Sequence, residues 1–382
     1  MYSAHSHGRM IADRIRVAAY RRALQEVVTP GAVVVDIGTG TGILAILACQ
    51  FGARKVYAIE CDEIIELARR IAKDNGCHDR IEFIRDLSTY VELPERANVI
   101  VADIHGALPV YCGCVEALID ARRRFLAAGG AMIPRTEHIW IAVADLPETT
   151  YAEGVEVWID GRWGVDLTAG RRFGTDWDFT ADLAQSQLIT QPACLATLNY
   201  HWLQSPSFSS EMEFKPIRDG NAKGYAVWFD AELADGVSLT TAPGCPQTVY
   251  SNVFLPWSHP VVIQMADRIS ATVGFNSVKK EGIWRWDTRI EAAGSREVKA
   301  QFRQSTFNTQ FVSADALHKR ASTYRPRLNQ TGAIGRILLE LMDGTRQKSE
   351  LVQMIMGRFP ETFRSEDEAM QMVTEFAERY SE

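Results

Sequence analysis

The spacing of hydrophobic and polar positions divides the chain into three parts. Up to about residue 134, short apolar runs such as AVVVDIG and KVYAIE alternate with segments such as GILAILACQFG and EIIELARRIAKDNG, whose apolar positions recur at helical spacing. The runs predict buried strands and the intervening segments predict helices. Strands alternating with helices predict a mostly parallel, doubly wound α/β sheet. A helical stripe over residues 9–27 precedes it, and residues 115–130 are predicted as one helix closed by Gly129 and Gly130.

Beyond Pro134 the pattern changes to β-rich segments separated by turn residues, which predicts an antiparallel sheet, sandwich or barrel. From about Ala314 the pattern becomes helical again, with three amphipathic segments. A length of 382 residues exceeds that of a single ordinary core, so several domains are expected. We place their boundaries at 1–133, 134–313 and 314–382.

Composition and charge narrow the choice of partners. A net charge of −7 argues against binding to a nucleic-acid backbone. No run of about 18 apolar residues is present, so no membrane partner is expected, and the N-terminus lacks the apolar stretch of a signal peptide. Seven cysteines without paired spacing predict reduced thiols and a cytoplasmic location. Cys112 and Cys114 have no second Cys/His cluster, so no metal site is expected.

The stretch VVVDIGTGTGIL, residues 33–44, is the strongest chemical signal. A strand that turns sharply into a helix needs glycine, and glycine also lets a ligand approach the backbone. Gly38, Gly40 and Gly42 provide that turn. Glu60 ends the next strand, where a carboxylate can accept hydrogen bonds from ribose hydroxyls. Asp36 precedes the turn, where it can help to position the amino-acid end of a ligand, and Asp86 follows the third strand, close to where an adenine amine would lie. The alternatives are a plain strand–helix turn with surface carboxylates, and NAD binding, which prefers a third glycine one residue later.

The pattern resembles that of S-adenosylmethionine-dependent methyltransferases with a Rossmann-like fold. Within that class, MIADRIRVAAYRRAL, the glycine stretch and YVELPERANVIVADIHG resemble the protein arginine methyltransferase family. The resemblance implies an N-terminal helix over the cofactor, a β-barrel-like domain, and homodimers formed through an arm at about residues 157–180. It implies that Arg16 pairs with the carboxylate of S-adenosyl-L-methionine and Glu60 with its ribose. The expected cofactor-binding residues are His7, Met10, Arg16, Asp36, Gly38, Gly40, Gly42, Ile43, Glu60, Asp86, Leu87 and Ser88.

The substrate loop departs from the family. The resemblance implies two glutamates that grip a guanidinium, but here the first position is Asp103 and the second is Cys112. Glu116 follows one helical turn later, and we predict Asp103 and Glu116 as the catalytic residues. Asp103 is a candidate general base or electrostatic clamp, although a structural role at the strand end is an equal alternative. The family's Thr-His-Trp motif reads Thr248-Val249-Tyr250 here, so its histidine is missing.

The last part of the chain resembles PqqD-like peptide-recognition domains, through Leu328–Asn329, Thr331–Ala333 and Leu338–Gly344. The resemblance implies a short strand ending at Asn329, a small helical or winged-helix domain, and a leader peptide added to a sheet edge. The leading hypothesis is therefore a methyltransferase that modifies a side chain of a ribosomally made precursor peptide. The alternatives are a general protein arginine or other side-chain N-methyltransferase with a remodelled clamp, and a catalytically weak binding protein. A purely structural tail is a further alternative.

Overall fold

The structure is a computed structural model that describes residues 3–161, 163–278, 281–294, 297–310 and 313–381. The chain divides into two compact units, Met1–Gln310 and Phe311–Glu382. The helices are α1 (Ala4–Ala12), α2 (Arg14–Val27), α3 (Ile43–Gln50), α4 (Ile65–Asp74), α5 (Cys114–Phe125), α6 (Glu148–Gly154), α7 (Arg171–Thr175), α8 (Ala314–Arg320), α9 (Gln330–Leu341), α10 (Lys348–Arg358) and α11 (Glu366–Tyr380). The strands are β1 (Val33–Ile37), β2 (Lys55–Ile59), β3 (Ile81–Ile84), β4 (Ala97–Ala102), β5 (Leu126–Ile133), β6 (Thr136–Ala144), β7 (Phe179–Ala181), β8 (Ala193–Asn199), β9 (Phe208–Phe214), β10 (Gly220–Ala234), β11 (Val237–Thr240), β12 (Asn252–Ile263), β13 (Arg268–Val278), β14 (Glu281–Glu291) and β15 (Val298–Ser305).

The first half of unit 1 is a five-stranded sheet in the order β3-β2-β1-β4-β5. Every strand pair in it is parallel, which confirms the predicted doubly wound sheet. The central strand β1 is buried along its whole length, as its run of β-branched residues predicts. Because the carboxyl ends of parallel strands meet at one edge, the residues that follow β1, β2, β3 and β4 are brought together there.

Two helix predictions were wrong. The predicted helix over residues 9–27 is interrupted at Asp13, whose backbone is extended and whose Oδ1 accepts a hydrogen bond from the Arg16 backbone N–H at 3.0 Å. Asp13 therefore ends α1 and caps α2. The predicted helix to Gly130 ends at Phe125 instead, because the following residues pair with β4 as the edge strand β5. Gly129 adopts a positive φ of 72° where that pairing shifts register, so it serves a strand irregularity rather than a helix end.

The second half of unit 1 consists of antiparallel sheets, as predicted. One has the strand order β7-β12-β10-β6-β8, with β11 paired to β10, and the other has the order β15-β14-β13-β9. Large aromatic side chains fill the core between them, among them Trp257, Trp284 and Trp286. The same core is continuous with that of the parallel sheet. Strand β6 contributes Glu137, which contacts His105 in the loop after β4.

Unit 2 contains the three predicted amphipathic helices α9, α10 and α11, together with α8. Its own small core is formed by Ile334, Leu338, Leu351, Val352, Ile355, Ala369 and Val373. The short strand predicted to end at Asn329 is wrong, since residues 313–381 contain no strand. Asn329 instead caps α9, and its Oδ1 accepts a hydrogen bond from the Gly332 backbone N–H at 2.8 Å. None of the described helices is long and apolar enough to span a membrane.

Candidate active site

A cavity of about 650 Å³ opens at the carboxyl edge of the parallel sheet. This volume lies in the usual range for a site that holds a small organic ligand. The structure brings most of the predicted site residues to its wall and leaves Asp36 and Gly42 away from it. The predicted residues that line the cavity are His7, Met10, Arg16, Gly38, Gly40, Ile43, Glu60, Asp86, Leu87, Ser88, Asp103 and Glu116.

The glycine turn leaves no room for side chains. Gly38 and Gly40 have positive φ values of 70° and 54°. A Cβ atom on Gly38 would lie 2.1 Å from the Cγ2 of Ile104, and one on Gly40 would lie 3.2 Å from the ring of His7. The bare backbone is therefore required both by its conformation and by its neighbours, and it forms a cradle that a ligand can approach closely.

Glu60 joins the glycine turn to the end of β2. One carboxylate oxygen, Oε2, accepts a hydrogen bond from the Gly40 backbone N–H at 3.1 Å, and Oε1 accepts one from the Asp62 backbone N–H at 3.0 Å. Each oxygen of an ionised carboxylate can accept more than one hydrogen bond. Glu60 can therefore bind a pair of ligand hydroxyls while it holds the turn.

Asp36 and Gly42 support the turn from outside the cavity. The Asp36 Oδ2 accepts a hydrogen bond from the Thr39 hydroxyl at 2.5 Å. Burial raises the pKa of Asp36 to about 7, although the hydrogen bond from Thr39 opposes this shift. Gly42 precedes α3, and a Cβ atom there would lie 3.1 Å from the Cβ of Ala68 on α4. Gly42 thus lets two helices approach each other.

Arg16 is buried and lies at the junction of α2 with the cavity. Its Nη1 forms an ion pair with the Oδ2 of Asp103, and its Nη2 donates a hydrogen bond to the Met10 carbonyl oxygen at 2.7 Å. The preceding cap residue Asp13 accepts a hydrogen bond from the Val249 backbone N–H at 2.7 Å. The N-terminal helices are therefore tied both to the parallel sheet and to the antiparallel half.

Asp103 follows β4 and has two partners. In addition to the ion pair with Arg16, its Oδ1 accepts a hydrogen bond from the Tyr250 hydroxyl. Tyr250 occupies the last position of the stretch that replaces the Thr-His-Trp motif. Asp103 is thus a charged group with a fixed orientation rather than a mobile surface carboxylate.

Glu116 lies in the first turn of α5. Its Oε1 accepts a hydrogen bond from the Ser277 hydroxyl of β13, whereas its Oε2 is buried and has no hydrogen-bond partner among the described residues. Cys112 precedes this helix with a positive φ of 62° and is exposed on the cavity wall. Cys114 is buried, and its thiol donates a hydrogen bond to the Ile104 carbonyl oxygen at 2.8 Å. This part of the cavity wall therefore carries the carboxylates of Asp103 and Glu116, in addition to the acidic residues near the glycine turn.

Several residues beside the cavity were missed by the sequence reasoning. Tyr20 is buried and donates a hydrogen bond to the Ala102 carbonyl oxygen at 3.3 Å. His105 and Glu137 form a buried pair close to Tyr250. Glu137 does leave a signal in the sequence, because it is an acidic residue near the start of a strand whose later positions are apolar, and buried acidic residues usually have a partner.

The cavity wall suits S-adenosylmethionine. The glycine cradle admits the ligand close to the backbone, Glu60 offers carboxylate oxygens for the ribose hydroxyls, and Arg16 supplies a buried cation whose Nε has no hydrogen-bond partner among the described residues. A carboxylate-bearing ligand pairs favourably with such a guanidinium.

Comparisons with known proteins agree with this chemistry. A family model described as ribosomal protein L11 methyltransferase (PrmA) matches residues 21–134. The protein arginine N-methyltransferase 1 of Dictyostelium discoideum is 26% identical over 275 residues, which cover 70% of this chain and 80% of that relative. A probable histone-arginine methyltransferase CARM1 of Oryza sativa subsp. indica is 33% identical over 278 residues. That match covers 68% of this chain but 52% of the rice protein, so the chain spans about half of its length.

Solved structures show the same fold. The Trypanosoma brucei PRMT1 enzyme-prozyme heterotetrameric complex with AdoHcy matches with a TM-score of 0.72 and 24% identity over 78% of this chain and 96% of that one. The Arabidopsis thaliana protein arginine methyltransferase 10 matches with a TM-score of 0.71 and 23% identity over 79% of this chain and 97% of that one. The fold and the relatives favour an enzyme over a binding protein on the same scaffold. The chain is an S-adenosylmethionine-dependent methyltransferase with a fold like that of the protein arginine methyltransferases.

Proposed function

We propose that the chain methylates an arginine side chain of a protein or peptide, and that Asp103 and Glu116 together hold the guanidinium. The observation that carries this proposal is the buried Oε2 of Glu116, which lacks a partner among the described residues and belongs to a side chain on the cavity wall. A buried polar atom without a partner costs about 1–3 kcal/mol, so this position favours a substrate group that donates hydrogen bonds. A guanidinium carries such donors in a planar array that matches carboxylates.

Each carboxylate has a distinct role. S-adenosylmethionine supplies an activated methyl group, so the protein mainly positions the acceptor nitrogen. Asp103 attracts the cationic side chain and accepts the proton that the nitrogen loses. Glu116 supplies the second carboxylate, which the cysteine at position 112 cannot provide. The Ser277 hydroxyl fixes one oxygen of the Glu116 carboxylate. The names of the relatives also favour arginine as the acceptor.

The direct test is methylation of a Gly-Arg-rich peptide by the full-length protein, with mass spectrometry of the product. We expect added methyl groups on arginine and none on a matched peptide in which lysine replaces every arginine. Equal labelling of both peptides, or of neither, contradicts the assignment of arginine.

The more specific candidate is an enzyme that modifies a precursor peptide whose leader binds to residues 314–382. The separate core of unit 2 favours a module that can act independently, and Leu328 and Leu339 offer exposed apolar surface. Because residues 313–381 contain no strand, apolar anchoring to helices is a better recognition mode here than strand addition.

Truncation before Ala314 tests this candidate. We expect the truncated chain to bind S-adenosylhomocysteine like the full chain, because the cavity lies within unit 1. If unit 2 binds a leader, a labelled leader peptide should bind the full chain and should not bind the truncated chain. Fluorescence polarisation measures both affinities. Equal leader binding by both proteins assigns the tail a structural role.

We also propose that residues 157–180 form the arm of a homodimer. Trp163 and Trp177 are 77% and 49% exposed, which is a large apolar area for a solvated segment. Trp158 is instead packed internally, since a Cβ atom on Gly170 would lie 2.0 Å from its ring. Trp158 thus helps to fold the segment, whereas Trp163 and Trp177 face outward and are available for a dimer contact.

Light scattering on wild type and on a Trp163→Ser/Trp177→Ser variant tests the homodimer. The variant should be monomeric at micromolar concentration, whereas a control with Trp202→Ser, at another exposed tryptophan, should remain dimeric. A wild-type protein that is monomeric at this concentration contradicts the proposed dimer arm.

A further inference from the structure

His105 and Glu137 form a buried pair of polar side chains beside the cavity. The His105 Nε2 lies 3.1 Å from the Glu137 Oε1, and the two side chains are 3% and 0% exposed. His105 stands two residues after Asp103 in the loop that follows β4, and Glu137 is the second residue of β6. The pair therefore joins the parallel sheet to the antiparallel half behind the candidate catalytic carboxylate.

The pair has a fixed set of neighbours. The second oxygen of Glu137, Oε2, accepts a hydrogen bond from the Tyr200 hydroxyl. The His105 ring packs edge-on against Phe229, with centroids 5.0 Å apart, and against Tyr250 in a tilted arrangement at 5.1 Å. Phe229 also packs against Tyr250, at 5.4 Å. The Tyr250 ring is thus held on two sides by a group that includes the buried pair.

Tyr250 connects this group to the reacting side of the cavity. Its hydroxyl donates a hydrogen bond to the Oδ1 of Asp103. Burial is the main reason that the pKa of Tyr250 lies well above its ordinary value, and the nearby Arg16 guanidinium opposes this shift only in part. The hydroxyl therefore remains protonated and available as a donor to Asp103.

A buried pair of ionisable side chains is a weak source of stability, because desolvation offsets the attraction between them. A rigid pair can instead fix the geometry of its neighbours, and a displacement of about 1 Å in a catalytic group lowers a rate by about 100-fold. We propose that His105 and Glu137 are positioning residues, which hold the Tyr250 ring so that its hydroxyl fixes the Asp103 carboxylate toward the substrate. This inference rests on the proposed function, which gives Asp103 its role.

The first test is geometric and needs no substrate. Crystal structures of the full-length Glu137→Gln and Asp267→Asn variants are compared with that of the wild type, each with S-adenosylhomocysteine. Asp267 is the matched control, since its side chain is 0% exposed and pairs with Lys299 at 2.6 Å outside the cavity. We expect the hydrogen bond between Tyr250 and Asp103 to be lost in Glu137→Gln and kept in Asp267→Asn.

The second test separates positioning from stability. With a Gly-Arg-rich peptide, Glu137→Gln should lower kcat by about 100-fold while KM and the Kd for S-adenosylhomocysteine change little. Asp267→Asn should lower the melting temperature by a similar amount and leave kcat unchanged. In a Tyr250→Phe background, Glu137→Gln should have little further effect on kcat, because both changes act through the same hydroxyl.

Several results overturn the inference. It fails if the Tyr250–Asp103 hydrogen bond persists in Glu137→Gln. It also fails if Glu137→Gln lowers kcat as much in the Tyr250→Phe background as it does in the wild type. If Glu137→Gln does not fold, the same tests use His105→Gln. We expect this variant to lose the same hydrogen bond between Tyr250 and Asp103. If Asp103→Asn keeps full activity, the proposed role of Asp103 fails. If Asp103→Asn is inactive and Glu137→Gln is fully active, only the positioning role fails.

Discussion

The two sides of the cavity place their polar groups by different means. On the cofactor side, the glycine turn and Glu60 follow neighbouring parallel strands, and backbone N–H groups hold the Glu60 carboxylate. On the proposed substrate side, side chains hold the carboxylates: Arg16 of α2 and Tyr250 contact Asp103, and Ser277 contacts Glu116. Tyr250 and Ser277 belong to the antiparallel half. Backbone geometry tolerates few changes, whereas an arrangement of side chains can be rebuilt by single substitutions. The proposed substrate side is therefore where a changed clamp, with a cysteine at position 112, can be accommodated.

The largest expected effect is on the substrate side. Asp103→Asn should lower kcat on a Gly-Arg-rich peptide by about 1000-fold, since it removes the carboxylate proposed to attract the cation and to accept the proton. Steady-state kinetics measures this loss, and calorimetry with S-adenosylhomocysteine should show a much smaller change in affinity. Asp267→Asn, the buried control, should keep its activity. A loss of cofactor affinity as large as the loss of kcat would mean that the two sides are not separable.

The next effect is on the cofactor side. Glu60→Ala should weaken the binding of S-adenosylhomocysteine by about 2–3 kcal/mol, because charge-assisted hydrogen bonds to the ligand and to the glycine turn are lost. Calorimetry measures this change. Glu63→Ala is the control, since Glu63 also lines the cavity but pairs with Arg85 at its exposed rim. Equal affinities for the wild type and Glu60→Ala would remove Glu60 from the site.

The same contrast explains what the sequence predicts. Gly38, Gly40 and Glu60 were predictable because the positions of strand ends follow from the order of strands and helices along the chain. The contacts that Tyr250 and Glu137 make with the Asp103 loop were not predictable, since both residues come from segments whose approach to this loop depends on how the antiparallel sheets pack. The pattern of hydrophobic and polar residues within a segment does not predict which distant segment packs against it.

Local competition explains the misplaced elements. The segment after Phe125 has a helical spacing of apolar residues, but the open edge of β4 offers backbone hydrogen bonds that a helix end does not. Asp13 reads as one polar position in a helical stripe, yet its side chain caps the following helix. In both cases a tertiary or capping interaction outweighs a weak helical preference.

A further effect is on stability rather than on catalysis or ligand binding, and it concerns the support of the glycine turn. Because burial raises the pKa of Asp36 to about 7 from 3.8, the folded protein binds this proton more tightly than the unfolded chain. The contribution of Asp36 to the free energy of unfolding therefore falls as the pH rises from about 4 to about 7. Relative to Asp36→Asn, the wild type should lose stability between pH 5 and pH 8 in urea titrations. An Asp74→Asn control, at an exposed position on α4, should keep the pH dependence of the wild type. The same pH dependence in all three proteins would contradict the raised pKa.

The account depends most on Glu116 as the second carboxylate of the clamp. The most direct measurement is kcat/KM on a Gly-Arg-rich peptide for the wild type, Glu116→Gln and Cys112→Glu/Glu116→Gln. We predict a loss of about 10- to 100-fold in Glu116→Gln, which corresponds to one charged hydrogen bond. We predict recovery in the double variant, because Cys112 lines the cavity and a glutamate there would again place a second carboxylate on its wall. Wild-type kcat/KM in Glu116→Gln, at unchanged affinity for S-adenosylhomocysteine, would contradict the remodelled clamp.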